Sequence, residues 1–144
     1  MSFSINLKAY LLRRLTNKSS IDFKLVNAKS VLFMRYDRIG DMVITTPVFR
    51  ELKRSFPCIK IIVLASDINK DVLQNNPHVD EVIINNKNNT WKNLTSLIKL
   101  RRQKLDVCIE LDHSVVPHAI IRLRIINPKK IISVRKDGRY GVTG

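Results

Sequence analysis

Glycine and cysteine are scarce in this 144-residue chain, and long apolar runs are missing. With 4 Gly and no G-x-G-x-x-G after its first candidate strand, the sequence argues against a dinucleotide-dependent oxidoreductase. Its 2 Cys form no C-x-x-C and no Cys/His cluster with metal-ligand spacing. Cys58 and Cys108 both lie in apolar stretches, so we expect two reduced, buried thiols. No segment approaches the ~20 apolar residues of a transmembrane helix.

Acidic residues are also few, because 12 Asp and Glu stand against 26 Lys and Arg, a formal net charge of +14. Such a surface favours polyanions, whether phosphorylated glycolipid, membrane headgroups or nucleic acid. The sequence contains no recognised nucleic-acid motif and no platform of interleaved basic and aromatic residues, so nucleic acid is not the expected partner. A non-enzymatic basic module that binds membrane or nucleic acid remains the alternative to an enzyme.

Residues 1–29 are predicted to be a basic amphipathic leader helix, over residues 4–17, and a linker. Leucines gather on one side of the helix and basic residues lie on the other, with Lys8 on the apolar side. Such a helix either lies among lipid headgroups or packs on the chain's own domain. Lys8, Arg13 and Arg14 interrupt the apolar residues and no cleavage site follows, so we expect no signal peptide and a cytoplasmic protein.

From residue 30 onward, short apolar strands alternate with amphipathic helices. This alternation predicts a parallel sheet covered on both faces, a Rossmann-like doubly wound α/β domain over residues 30–144. The predicted strands are 31–34, 59–64, 79–84, 105–111 and 130–134, and the predicted helices are 41–56, 68–76, 91–103 and 115–126.

The helix over 41–56 has an ambiguous start. Its predicted apolar stripe consists of Val43, Ile44, Val48, Leu52 and Phe56. Either the helix begins at Gly40 and bends at Pro47, or it begins with Thr46 as the N-cap and Pro47 as its first residue. The stripe, which starts at Val43, favours the first alternative.

The carboxyl end of the first strand is the first candidate site, since ligands of open α/β sheets bind beyond such ends. There the chain reads Arg35-Tyr36-Asp37-Arg38-Ile39-Gly40-Asp41. Gly40 allows a tight turn or a close backbone approach, and Asp41 opens the next helix, where a carboxylate is favoured. The plainer interpretation is a helix cap and surface ion pairs.

Three separated segments closely resemble glycosyltransferase family 9, the group that includes the ADP-heptose:lipopolysaccharide heptosyltransferases. They are RYDRIGDMVITTPVFRELKRSFP, IKIIVLASDINKDVLQNNPHVDEVII and LDVCIELDHSVVPHAIIRLRIINPKKIISVRKDGR. The resemblance implies the N-terminal, acceptor-side domain of a two-domain GT-B enzyme that inverts the anomeric carbon and needs no metal or other cofactor. It also implies a nucleotide-sugar donor such as ADP-heptose and a lipopolysaccharide core or similar anionic glycolipid acceptor at the inner membrane.

The resemblance assigns the general base to Asp41, the aspartate of the family's G-D pair. Arg35 and Arg38 either hold acceptor phosphate or carboxylate groups or merely pair with Asp37 and Asp41. The remaining acceptor-side candidates are Asp37, Gly40, His113, Ser114 and, more generally, the basic residues Arg122, Arg124, Lys129 and Lys130. Family members are about twice as long as this chain, so we expect the C-terminal donor domain to be absent and the chain to be inactive alone.

Overall fold

A computed structural model describes residues 27–85, 89–111 and 117–133. The predicted leader helix over 4–17, together with His113 and Ser114, lies outside these residues. The strands are β1 (Ser30–Met34), β2 (Lys60–Ser66), β3 (Glu81–Asn85), β4 (Val107–Glu110) and β5 (Lys130–Ser133); the α-helices are α1 (Ile39–Ser55), α2 (Thr90–Arg102) and α3 (Pro117–Ile126).

The five strands form one parallel sheet in the order β3-β2-β1-β4-β5. The chain runs outward from the central β1 through β2 to β3, then crosses back to β4 and continues to β5. The strand order therefore reverses between β1 and β4, which places the topological switch point beside the carboxyl end of β1. The Rossmann-like doubly wound fold predicted from the sequence is confirmed.

Two apolar cores cover the two faces of the sheet, as the alternation of side chains along β1 shows. Val31 and Phe33 face a core shared with α1, whereas Leu32 and Met34 face a core built with α2 and α3. Burial of both strand faces explains why β1 and β2 read as continuous apolar runs. No helix in the described ranges has the length and apolar character that crossing a membrane requires.

Helix α1 begins at Ile39 and contains Pro47, which confirms the first of the two predicted starts. A proline at position 47 leaves the Val43 carbonyl without its usual amide donor. The Thr46 hydroxyl donates to that carbonyl at 2.8 Å. The helix continues because a side chain supplies the hydrogen bond that proline cannot.

The predicted apolar stripe of α1 is wrong over its first three turns. Met42, Thr45 and Phe49 are the buried residues, and the Phe49 ring packs edge-on against Phe33 with ring centroids 4.9 Å apart. Val43, Ile44 and Val48 are 50%, 69% and 48% exposed. Leu52 and Phe56, the last two members of the stripe, do pack against the core.

The helix expected after β2 is also corrected by the structure. The helix predicted over 68–76 is only a short 3₁₀ turn, Lys70–Leu73, and the Asn69 side chain before it bonds to neighbouring backbone. Its oxygen accepts from the Ser66 amide at 2.9 Å and its amide donates to the Arg35 carbonyl at 3.0 Å.

The two cysteines also differ from each other. Cys108 is buried as predicted, and burial, followed by the nearby Glu110 charge, raises the pKa of its thiol. Cys58 is exposed, because it lies in the turn after α1 rather than in β2.

Candidate active site

Arg35 lies at the centre of the loop that joins β1 to α1, and its side chain is only 4% exposed. Its backbone amide donates to the Leu64 carbonyl at 3.1 Å, which extends the pairing of β1 with β2 by one residue. Its Nη1 donates to the Leu111 carbonyl at 2.6 Å, just beyond β4. Arg35 is therefore held to both neighbours of β1 at the switch point, to β2 through its backbone amide and to the end of β4 through its guanidinium.

Two carboxylates contact this one guanidinium. Arg35 Nε lies 3.3 Å from Asp37 Oδ1, and Arg35 Nη2 lies 3.3 Å from Asp41 Oδ1. The acid side chains are 24% and 31% exposed. The structure shows Arg35 in ion pairs with both acids at once.

The contact between Arg35 and Asp37 is one of charge rather than of an aligned hydrogen bond. Both Arg35 Nε and Asp37 Oδ1 are buried, and neither has a hydrogen-bond partner of acceptable geometry. Burial raises the pKa of Asp37, the Arg35 charge and a backbone hydrogen bond oppose it, and the neighbouring Asp41 carboxyl raises the pKa further. The net effect is a raised pKa.

Asp41 is in the first turn of α1 but is not its cap. The N-cap is Arg38, which is exposed and makes no side-chain capping bond. The Asp41 carboxylate is thus committed neither to a backbone N-cap bond nor to full burial, and it remains partly open to solvent. Such a position suits a group that must accept a proton from a bound hydroxyl.

Gly40 is exposed within α1, and a Cβ atom built on it would meet no atom within 4 Å. Neither the tight turn nor a close approach by described residues requires glycine at this position. Its lack of a side chain leaves room beside the first turn of α1.

A second group at the carboxyl edge involves α3. The Arg122 guanidinium lies 4.6 Å from the centroid of the Tyr36 ring, and its Nη2 donates to Asn85 Oδ1 at 3.3 Å. Sequence reasoning named Arg122 only as one of several basic residues. No sequence signal separates Arg122 from Arg124, because each lies between two apolar residues of Pro117–Ile126.

Lys129 and Lys130, named with Arg122 as candidates for an anionic acceptor, lie at the opposite edge. Lys130 begins β5, and the Lys129 ammonium pairs with Asp106 Oδ1 at 2.6 Å, before β4 begins. Because strands of a parallel sheet begin at the same edge, these lysines are on the far side of the sheet from Asp41. The structure therefore does not bring them together with Arg35, Asp37 and Asp41, which we call the acid cluster.

An open groove of about 400 Å³ is also present, between α1 and the turn after β2. Thr46, Pro47 and Arg50 line one side, and residues 72–78 contribute the other. None of Arg35, Asp37 and Asp41 lines it, so the groove and the acid cluster are separate features.

The doubly wound sheet, with a carboxylate on the first helix beside the switch point, defines a Rossmann-like domain. No protein-family model matches the chain. Two curated relatives are both lipopolysaccharide heptosyltransferase 3 of Escherichia coli. One, from strain K12, is 36% identical over 95 residues, which is 62% of this chain and 27% of the relative. The other is 34% identical over 90 residues, 58% of this chain and 26% of the relative.

Solved structures agree with this similarity. The E. coli ADP-heptose lipopolysaccharide heptosyltransferase II matches with a TM-score of 0.63 and 22% identity, over 78% of this chain and 32% of that chain. A family 9 glycosyltransferase from Veillonella parvula matches with a TM-score of 0.59 and 20% identity, over 76% and 33%. At these identities the structures show the fold. The predicted resemblance to glycosyltransferase family 9 is confirmed, and the chain spans about a quarter of the length of its curated relatives.

Proposed function

We propose that this chain forms the acceptor-side domain of an inverting glycosyltransferase. The reaction would move a sugar, with heptose as the first candidate, from a nucleotide-sugar such as ADP-heptose to lipopolysaccharide core or a similar anionic glycolipid. The observation that carries the proposal is Asp41, held by Arg35 at the switch point in a chain 36% identical to a heptosyltransferase. The proposal requires a donor-binding domain, in the same polypeptide or in a second one.

In the proposed reaction Asp41 is the general base. The acceptor hydroxyl oxygen attacks the anomeric carbon of the donor sugar, and its proton passes to the Asp41 carboxylate. As the new C–O bond forms, the bond to the nucleoside diphosphate breaks and that group leaves with the electron pair. The reaction as proposed uses no metal, so positioning and proton transfer are the tasks of the protein's own residues.

Arg38 and Arg122 are the cations best placed for the acceptor's anionic groups. Arg38 is exposed at the start of α1, next to the acid cluster. The Arg122 guanidinium is oriented by Tyr36 and Asn85 at the same edge of the sheet. Guanidinium groups bind phosphate and carboxylate in two-point contacts, which suits a phosphorylated core saccharide.

The proposed place of action is the cytoplasmic face of the inner membrane, where a lipid-linked acceptor would be met. Residues 4–17 supply leucines and basic side chains suited to peripheral binding of anionic headgroups.

The test is Asp41→Asn in the complete transferase, assayed with ADP-heptose and a heptose-deficient lipopolysaccharide. We expect turnover to fall by ~10²–10⁴, the usual contribution of a general base, with the fold intact. Glu51→Gln is the matched control, since it also removes one carboxylate from α1 but at an exposed position paired with Arg50. Near-normal turnover in Asp41→Asn would disprove the assignment.

A further inference from the structure

Arg35 carries one positive charge and contacts two carboxylates, so the three-residue cluster has one negative charge in excess when both acids are ionised. If Asp41 were the sole partner of Arg35, the pair would be neutral. The guanidinium would then stabilise the Asp41 carboxylate and make it a weaker proton acceptor. A second carboxylate on the same guanidinium counteracts that stabilisation.

We propose that Asp37 is a positioning residue that keeps Asp41 able to accept a proton, by competing with it for the single Arg35 guanidinium. This inference rests on the proposed function, because it concerns the base of that reaction. When the acceptor hydroxyl gives its proton to Asp41, the repulsion between the two carboxylates disappears. Asp37 then becomes the sole anionic partner of Arg35 in the cluster.

The equal spacing of the two ion pairs supports this role. Both carboxylates lie 3.3 Å from the guanidinium, one at Nε and the other at Nη2, so neither acid excludes the other. Nη1 is already bound to the Leu111 carbonyl at 2.6 Å, so a rotation of the guanidinium toward Asp41 would break that hydrogen bond. Among the described residues, no donor of acceptable geometry reaches the buried Asp37 Oδ1.

Within the described ranges, the other charged side chains at this edge form no ion pair with Asp37 or Asp41. Arg38 is exposed and is the N-cap of α1. Glu110, at the end of β4, accepts from the Ser133 hydroxyl at 2.8 Å, and Arg122 bonds to Asn85. Among the described residues, the ion pairs of Asp37 and Asp41 are both made with Arg35. The raised pKa of Asp37, caused by burial and then by Asp41 against the opposing Arg35 charge, agrees with mutual repulsion.

The decisive measurement is the pH dependence of kcat/KM in the complete transferase. Asp37→Asn keeps the side-chain shape and removes the charge, so we expect the acid limb to move to lower pH by about one unit. The plateau rate should fall by less than tenfold, because Asp41 becomes a weaker base and general-base rates follow basicity with a slope below one. Asp37→Glu should restore both. Glu51→Gln, which removes a charge ten residues farther along α1 than Asp41, should change neither.

A substrate-free readout separates this inference from the proposed function. Carboxyl NMR of the aspartate-labelled 144-residue chain should show Asp41 titrating at lower pH in Asp37→Asn than in the wild type. That shift, together with no sugar transfer by the complete wild-type transferase, would uphold the coupling and reject the transferase proposal. An unmoved Asp41 titration, or an acid limb that stays in place while only the acceptor KM rises, would overturn the inference. The latter result would make Asp37 an acceptor-binding residue instead.

Discussion

Asp106 and Asp37 lie at opposite edges of the same sheet. Their surroundings shift the carboxyl pKa in opposite directions, down for Asp106 and up for Asp37. At the amino edge, Asp106 Oδ2 accepts from the Lys29 amide at 2.8 Å and the Ser30 amide at 3.2 Å, and Oδ1 pairs with the Lys129 ammonium at 2.6 Å. Burial opposes its charge, but the Lys129 and backbone donors outweigh burial and lower the pKa of Asp106. At the carboxyl edge, burial prevails and the pKa of Asp37 is raised.

Glu81 extends the amino-edge pattern. Partial burial opposes its charge, yet hydrogen bonds from Lys60, Lys99 and Gln103 together lower the pKa of Glu81 to about 2. The two edges therefore differ in how many hydrogen-bond and cationic donors contact each acid. A well-supplied acid stabilises the fold, whereas a poorly supplied acid costs stability and is retained where chemistry needs it.

The largest effect on stability is expected from Arg35→Met, which removes the cation that pairs with both Asp37 and Asp41 at the carboxyl edge. It leaves two carboxylates facing each other and the Leu111 carbonyl without its donor. We expect a loss of about 3 kcal/mol in the free energy of unfolding at pH 7, as for other broken buried pairs. The loss should shrink toward pH 4, because Asp37 takes up a proton there and the repulsion falls.

Urea unfolding at the two pH values measures this difference. Arg50→Met is the control, since Arg50 is 61% exposed and pairs with an exposed Glu51. Its effect should stay within about 0.5 kcal/mol at either pH. Equal losses for Arg35→Met at both pH values would mean that Arg35 acts through packing and not through the two acids.

A smaller loss, about 2 kcal/mol at pH 7, is expected from Asp106→Asn at the amino edge. The amide keeps one acceptor oxygen but turns its NH₂ group toward donors that had a carboxylate oxygen. Because the pKa of Asp106 is lowered in the fold, its contribution is present above its unfolded value of about 3.8 and is lost as the pH falls through the lowered pKa. The two proteins should therefore converge in acid.

Chemical denaturation of Asp106→Asn across pH 3 to 7 tests that convergence. Asp67→Asn is the matched control, since Asp67 is half exposed and pairs with Lys70 at 3.8 Å within one turn. The control should lose no more than about 0.5 kcal/mol. A constant difference between Asp106→Asn and the wild type at all pH values would show that the Asp106 charge is not what stabilises the amino edge.

The sheet and the place of the acid cluster could be predicted from the sequence because both depend on local patterns. Strands buried on two faces leave continuous apolar runs, and the residues after β1 lie at the carboxyl edge by topology alone. The simultaneous contact of Arg35 with Asp37 and Asp41 could not be predicted. It depends on carbonyls of Leu64 and Leu111, which are distant in sequence, so the choice between acceptor binding and ion pairing stayed open.

The buried face of α1 shows a second limit. Two overlapping stripes fit the helical period, one through Val43, Ile44 and Val48 and one through Met42 and Phe49. Hydrophobicity does not separate them, and the buried Thr45 weakens the correct one. Contact between Phe49 and Phe33, a tertiary interaction, decides which face turns inward.

The smallest effect, and one of opposite sign, is expected from Asp37→Asn. Because the pKa of Asp37 is raised in the fold, the folded chain binds its proton more tightly than the unfolded chain does. Wild-type stability therefore falls as the pH rises from the unfolded value of about 3.8 through the raised pKa, and the amide removes that cost. At pH 7 the free energy of unfolding of the variant should match that of the wild type or exceed it by up to about 0.5 kcal/mol.

Toward pH 3.5 this advantage should vanish. Urea unfolding of the variant and the wild type at the two pH values measures the difference. A loss at pH 7 as large as that of Asp106→Asn would show that the carboxyl-edge acid stabilises the fold as the amino-edge acid does, and the contrast between the two edges would not hold.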